Sequence, residues 1–310
     1  MTADDRPVLG TALMLAFCLT APLIDTAAKL AAETIPVGQI TTARYIAQAL
    51  ILLPIMALMR LDFRMSRTDI AVTFVRAILS VGSTITFVGA IAVMPLADAL
   101  AIVFVEPFLL LFIGHFFLSE TVGIRRLGAA VVGFAGSLII IRPSFVEFGA
   151  VALLPLGTAF FFALYMLSMR WRTRGAHPVS LQAMTAVAAV ILTVPALWLA
   201  NGSGLDSLDP VLPEGRYWAY LFAVGLAASV SHLLLTYALR FASSTVLAPL
   251  HYLELISATF FGYVVFSDFP DLATWIGIGI IAASGIYIIH RERVTARSVA
   301  AGVAPILPTP

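Results

Sequence analysis

Apolar residues in this chain fall into long blocks, each closed by a short cluster of charged or turn-forming residues. A helix that crosses a bilayer needs about 20 mostly apolar residues, and the blocks meet that length. They predict ten helices, near 8–30, 38–59, 69–93, 96–118, 124–141, 149–169, 179–200, 217–239, 244–266 and 272–290. The breaks before the fourth and ninth rest only on Met94-Pro95 and Ala242-Ser243. The expected fold class is all-α integral membrane, with ten transmembrane helices. The first block is too long, and Met1 to Pro7 before it too acidic, for a signal peptide, so the first helix is expected to stay in the mature protein.

Composition narrows the class. Of 310 residues, 61% are hydrophobic and 11% charged, where a soluble domain averages about 25% charged. Mean hydropathy is +1.01, and so few charges cannot clothe a soluble surface. The net charge of +1 and the lack of a basic stripe argue against nucleic acid as a partner. No G-x-x-x-x-G-K-[ST] run is present, which argues against ATP-driven pumping by this chain. The single cysteine, Cys18, rules out an internal disulfide.

Charge placement orients the helices. Thirteen arginines fall at alternate junctions on one side, among them Arg60, Arg64, Arg125, Arg172 and Arg293, against two, Arg142 and Arg216, on the other. Positive residues stay inside, so both termini are expected in the cytoplasm. The outer loop 201–216 is rich in Gly, Asp and Pro and reads as a solvated connection. Residues 291–310 form a cytoplasmic tail, expected to be disordered because apolar periodicity is lost from Val294 onward.

The chain also repeats itself. Shifted by 148 residues, Glu106 falls on Glu254, Phe112 on Phe260, Gly114 on Gly262, Ser119 on Ser267 and Glu120 on Asp268. One residue of gap later, Gly128 meets Gly277 and Gly136 meets Gly285, and Pro54 matches Pro195 earlier in the halves. The units are 8–143 and 149–290, five helices each. An odd count makes the second half enter the membrane from the opposite side. Inverted repeats of this kind characterise secondary transporters, whose site lies near the midplane where the halves meet.

With Met94-Pro-Leu-Ala-Asp-Ala99, the Glu106-Pro107 pair, Ser119-Glu120 and the Gly-rich run into Ile139-Ile-Ile-Arg-Pro-Ser144, residues 8 to 290 resemble the EamA-type members of the drug/metabolite transporter superfamily. The resemblance implies two inverted five-helix repeats and a site lined mainly by helices 1, 3, 4, 6, 8 and 9. It implies transport of small metabolites, from amino acids and amines to nucleotide-like compounds and vitamins, without choosing among them.

Seven charged side chains fall inside the predicted spans: Asp25, Lys29, Arg44, Arg76, Asp98, Glu106 and Glu254. At about 2.5–3.5 kcal/mol each, they would cost on the order of 15–25 kcal/mol against lipid. They must face one another, a wet cavity or a ligand. Glu106 and Glu254 each lie about ten residues into their helices, from opposite sides. At 1.5 Å per residue both sit about 15 Å deep, near the middle of a core about 30 Å thick. They are expected to flank a substrate site, where either could take a proton or a cation. The alternative is that each only bonds backbone opened by a local kink. Pro107, with no N–H for the carbonyl of Val103, would make such an opening, as would Pro249 and Pro22.

Asp25 and Lys29, four residues apart, are expected to pair on one helix face, with Asp25–Arg44 an equally good pair. Arg76 is close enough to the cytoplasmic edge to snorkel there, and Asp98 reads as a helix-start residue. His251, three residues before Glu254, is expected to orient it; His115 and His232 are unassigned. No second clustered pair accompanies His251, so no metal or other cofactor is expected. Trp171, Trp198, Trp218 and Trp275 fall near span ends, as interfacial belts do, leaving Tyr165, Tyr237 and Tyr252 as candidate wall residues.

The sequence thus predicts a secondary or facilitative transporter in a cytoplasmic (inner) membrane. Its substrate-binding candidates are Glu106, Glu254, His251, Arg44, Tyr252 and Tyr165, with Asp25 and Lys29 as an ion-pair or coupling pair. The mixed charges favour a zwitterion such as an amino acid or amine derivative, with a vitamin or nucleoside-like ring as the alternative. An intramembrane enzyme using Glu106, His251 and Glu254 is the rival from another class, disfavoured because a catalytic site rarely needs a symmetry-related copy. The expected partners are a small molecule, the bilayer and protons, and the expected state is a monomer or weak homodimer.

Overall fold

The structure, a computed structural model, describes residues 6–62, 65–117, 124–168, 177–242, 247 and 250–300. Among these residues the regular structure is entirely helical. The helices are α1 (Pro7–Ala31), α2 (Val37–Leu58), α3 (Arg67–Ile91), α4 (Leu96–Val103), α5 (Glu106–Phe117), α6 (Ile124–Phe148), α7 (Leu154–Ser168), α8 (Pro178–Ala200), α9 (Tyr217–Phe241), α10 (Leu253–Phe266) and α11 (Leu272–Ala300). Seven stretches of the described residues are long and apolar enough to cross a membrane. One of them, Leu127–Ser168, holds 42 residues, and Leu253–Phe266 and Leu272–Ile288 are shorter apolar helices. The protein is a multi-pass membrane protein.

Several boundaries differ from the sequence expectation. The predicted fourth helix is broken into α4 and α5, and the ninth is interrupted at Tyr252. α6 runs through Pro143 to Phe148 instead of stopping near residue 141. It ends where Gly149 takes a φ of +64°, a left-handed conformation glycine adopts without a Cβ clash, and a single 3₁₀ stretch, Gly149–Leu153, leads into α7. α11 continues to Ala300, so residues 291–300 of the expected tail are helical. Ser119, Glu120, Trp171, Pro249 and residues 301–310 lie outside the described residues, as does the side chain of His115.

Helices from the two halves pack against each other. α1 lies along α9, α2 along α8 and α9, α3 along α7 and α8, and α6 along α11, while α10 meets α1 and α4. Small residues let these backbones close, as membrane packing demands. A Cβ on Gly277 would stand 2.3 Å from Ile140 and 2.9 Å from the carbonyl of Gly136, so α6 and α11 touch nearly backbone to backbone. Gly225 does the same for α9 against α2, where an added Cβ would meet Ala47 at 2.3 Å and the Arg44 carbonyl at 3.0 Å. That second contact positions the site.

Candidate functional site

Two helix breaks place two acids. Phe104 and Val105 turn between α4 and α5, where the Phe108 N–H donates to the carbonyl of Val105 at 3.0 Å and Pro107 has no N–H to give. Glu106 is therefore the first residue of α5. In the second half, Tyr252 is the turn residue and Glu254 is the second residue of α10. Each carboxylate thus sits at a half-helix N-terminus, where unsatisfied N–H groups concentrate positive charge. Both are buried, at 7% exposure. The Nε2 of His251 lies 2.9 Å from Oε2 of Glu254, and the His251 ring is wedged against Phe17 and Phe104 at centroid distances of 5.5 and 5.2 Å.

α2 and α3 together position a guanidinium. Arg44 donates from Nη1 to the Thr84 hydroxyl at 2.7 Å and from Nη2 to Nε2 of His232 at 3.1 Å. A guanidinium only donates, so Nε2 of His232 is the acceptor and this imidazole is neutral. Tyr45 steadies the cluster, with its hydroxyl 2.8 Å from Ser80 and 3.0 Å from Thr84. The close approach at Gly225 brings α9 to α2, and His232 lies two turns further along α9. Arg44 is 9% exposed and its Nε has no hydrogen-bond partner.

The acids and the guanidinium line one cavity of about 140 Å³. Its charged walls are Asp25, Arg44, Glu106 and Glu254, with both His232 and His251; Phe17, Phe87, Phe104, Phe162 and Tyr165 supply aromatic faces. A smaller hollow, lined by Gln182, Thr236 and Leu239, shares Phe17, Phe162, Tyr165 and His232 with it. Among the described residues no group of three or more His, Cys, Asp or Glu is placed to hold a metal ion.

Of the sequence-derived candidates, Glu106, Glu254, His251, Arg44, Tyr165 and Asp25 come together here. Tyr252 does not line the cavity; its hydroxyl occupies the space a Cβ on Gly285 would need. Tyr237 lies 3.5 Å from the His177 ring instead. Lys29 does not pair with Asp25: its ammonium donates to Oδ2 of Asp268 at 2.7 Å and to the Met94 carbonyl at 2.9 Å, over the Phe266 ring. Arg44 is held by Thr84 and His232 instead of Asp25. Arg76 does not snorkel. It is 1% exposed and turns inward to the Tyr165 hydroxyl at 3.3 Å and that ring at 5.4 Å.

The sequence reading named Arg44 as a binding candidate but did not count its helix among those lining the site, and it left Ser80, Thr84 and His232 unassigned. The spacing Arg76, Ser80, Thr84, four residues each, marks one polar face of α3 and was the available signal.

A cavity walled by interrupted helices is an arrangement found in secondary transporters. The sequence profile of the EamA-like transporter family matches residues 8–142 and again residues 149–290. The chain belongs to the EamA-like transporter family. Among the relatives of this EamA-like chain, a riboflavin transporter of Brucella anthropi is 26% identical over 288 residues, spanning 92% of this chain and 100% of that one. A pseudopaline exporter of Pseudomonas aeruginosa is 25% identical over 286 residues, 92% and 97% of the two chains. An S-adenosylmethionine uptake transporter of Rickettsia bellii is 29% identical over 203 residues, 66% and 67%. One solved crystal structure superposes with a TM-score of 0.63 at 15% identity, covering 93% of this chain and 98% of that one, a likeness of fold.

Proposed function

We propose that this chain is a secondary or facilitative transporter that moves a small polar metabolite by alternating access about the central cavity. The substrate is an amino acid, an amine or a related zwitterion. The observation that carries this reading is one cavity wall that holds the carboxylates of Glu106 and Glu254 together with the guanidinium of Arg44. The helix pairing supports two inverted five-helix halves, because exchanging the helices of 8–143 with those of 149–290 turns α1–α9 into α7–α3 and leaves α2–α8 and α6–α11 in place. Ten crossings follow when Leu127–Ser168 crosses twice and the two shorter apolar helices once each. The arginine distribution supports an inner-membrane location with both termini in the cytoplasm.

Uptake of a vitamin-like ring is the second reading, favoured by the relatives named as riboflavin transporters and by the Phe17, Phe104 and Phe162 faces of the cavity. A metabolite screen in proteoliposomes, with and without a proton gradient, tests both. Flux of amino acids or amines supports the first reading. Flux of riboflavin alone replaces it with the second, and no flux of any metabolite overturns the transporter assignment.

A further inference from the structure

His232 and Tyr165, with Phe17 and Phe162, line both hollows, so these four side chains stand at the boundary between them. The two polar ones have their hydrogen-bonding sense fixed from behind. Arg44 gives an N–H to Nε2 of His232 at 3.1 Å, which leaves the proton of the neutral imidazole on Nδ1. Nδ1 has no partner among the described residues and is not sealed by packing. Arg76 gives an N–H to the Tyr165 hydroxyl at 3.3 Å, so the phenol keeps its own proton to give. Each side chain is a donor with a guanidinium behind it.

Charge and size name what those donors would meet. Among the described residues neither Arg44 nor Arg76 touches an acid. Asp25, Glu106 and Glu254 line the larger cavity, and no described acid lines the smaller hollow. An anion there would stand one hydrogen-bonded group away from each guanidinium, and would offset two buried cations that are otherwise costly. The smaller hollow offers about 40 Å³. One water needs about 10–15 Å³ of such space, so the hollow takes about three water-sized atoms, the size of a carboxylate.

We propose that the smaller hollow is a second binding site, for a carboxylate that accepts from Nδ1–H of His232 and from the hydroxyl of Tyr165. Both bonds are charge-assisted. This rests on the transporter reading above and gives the carboxylate of its substrate a second station beside the central cavity. It also gives Arg44 and Arg76 one task, that of setting the two donors.

The test is equilibrium binding to the purified full-length chain, read as ligand-induced thermal stabilisation over a concentration series. The probes are sodium acetate and acetamide, alike in shape and different in charge, with sodium chloride at equal ionic strength as the reference. Acetate is expected to bind at least about tenfold tighter than acetamide, the scale of one charged hydrogen bond. Tyr165→Phe, which keeps the ring, weakens acetate by at least about tenfold. Leu235 lines the smaller hollow and not the larger one, so Leu235→Phe fills the site and abolishes acetate binding. Nitrogen-15 NMR of the histidine-labelled chain should show His232, assigned by its loss in His232→Gln, as the Nδ1–H tautomer, with an Nδ1 signal that acetate shifts. Acetamide binding as well as acetate overturns the proposal, as does acetate binding unchanged in Tyr165→Phe or Leu235→Phe, or an Nε2–H tautomer. Amino-acid flux in proteoliposomes beside any of those results strikes this site and leaves the transporter standing. No flux of any metabolite with acetate binding intact strikes the transporter reading and leaves the carboxylate site.

Discussion

Arg76 offers the clearest separation of stability from function. It is a guanidinium at 1% exposure whose Nε, among the described residues, lacks a hydrogen-bond partner, while Nη2 donates to the Tyr165 hydroxyl and the group lies over that ring. Replacing it by methionine keeps the stem's length and removes the charge. The change loses one neutral-acceptor hydrogen bond at 3.3 Å, about 1 kcal/mol, and a cation–π contact of about 0.5–2 kcal/mol. It also removes a desolvation cost of several kcal/mol for a buried ion, and apolar replacement of buried charge is commonly stabilising by about 1–4 kcal/mol. Arg76→Met is therefore expected to melt higher by roughly 2–8 °C, taking about 2 °C per kcal/mol for a chain of this size.

Thermal unfolding of the purified chain in detergent, followed by tryptophan fluorescence, measures this. Arg76→Lys keeps the charge but loses the planar fork, and it should melt below the unmodified chain. The transport rate of Arg76→Met should fall, because Tyr165 lines both hollows and loses the group that fixes its hydroxyl. Retaining a costly charge where it serves transport is a stability–activity trade. A lower melting temperature for Arg76→Met than for the unmodified chain would refute the reasoning, since the charge would then be met by an acid.

Three further outcomes are expected. In a double-mutant cycle, His251→Gln and Glu254→Gln should show a coupling of about 1.5–3 kcal/mol in thermal stability, the worth of a hydrogen bond to a charged group; additive effects would rule out the contact. Lys29→Met and Asp268→Asn should each cost about 1 kcal/mol, discounted for partial exposure, and the double variant should cost no more than either alone. Gly277→Leu should destabilise by about 1–3 kcal/mol or more through overpacking against Ile140 and the Gly136 carbonyl. Gly279→Leu, two residues on and with open space beyond its Cα, should stay near neutral in the same melting assay.

What the sequence made legible follows from how few explanations an intramembrane charge has. Glu106 and Glu254 were readable because lipid tolerates neither, and their matched depth in the two expected spans pointed to one common meeting place. Pro107 marked the break before α5. Pro249, three residues before Tyr252, marked an opening in the ninth helix, though not the turn at Tyr252 itself. Lys29 was misread because a local partner four residues away competes with Asp268, which lies 239 residues away in sequence. Arg76 sits at a depth where snorkelling and burial are both feasible, and the choice is made by Tyr165 on another helix. The role of α2 hangs on the Gly225–Ala47 approach, a long-range contact that no periodicity announces.

The charges inside the membrane sort by what answers them, and the sorting carries function without reference to any relative. Lys29 with Asp268 ties α1 to the end of α10 and consumes its own charge. His251 with Glu254 fixes the geometry at one helix break. Arg76 is answered by a tyrosine, at a cost the fold bears. Asp25 and Arg44 both line the cavity, and among the described residues Arg44 is held by a hydroxyl and a neutral imidazole while no hydrogen bond or ion pair joins it to Asp25. A fold that needed those two only for cohesion would bring them into contact, since about 1.5–3 kcal/mol is gained by closing a charged hydrogen bond. A zwitterion, the substrate class proposed above, carries a group for each, and a ligand that must later leave cannot be replaced by a permanent ion pair.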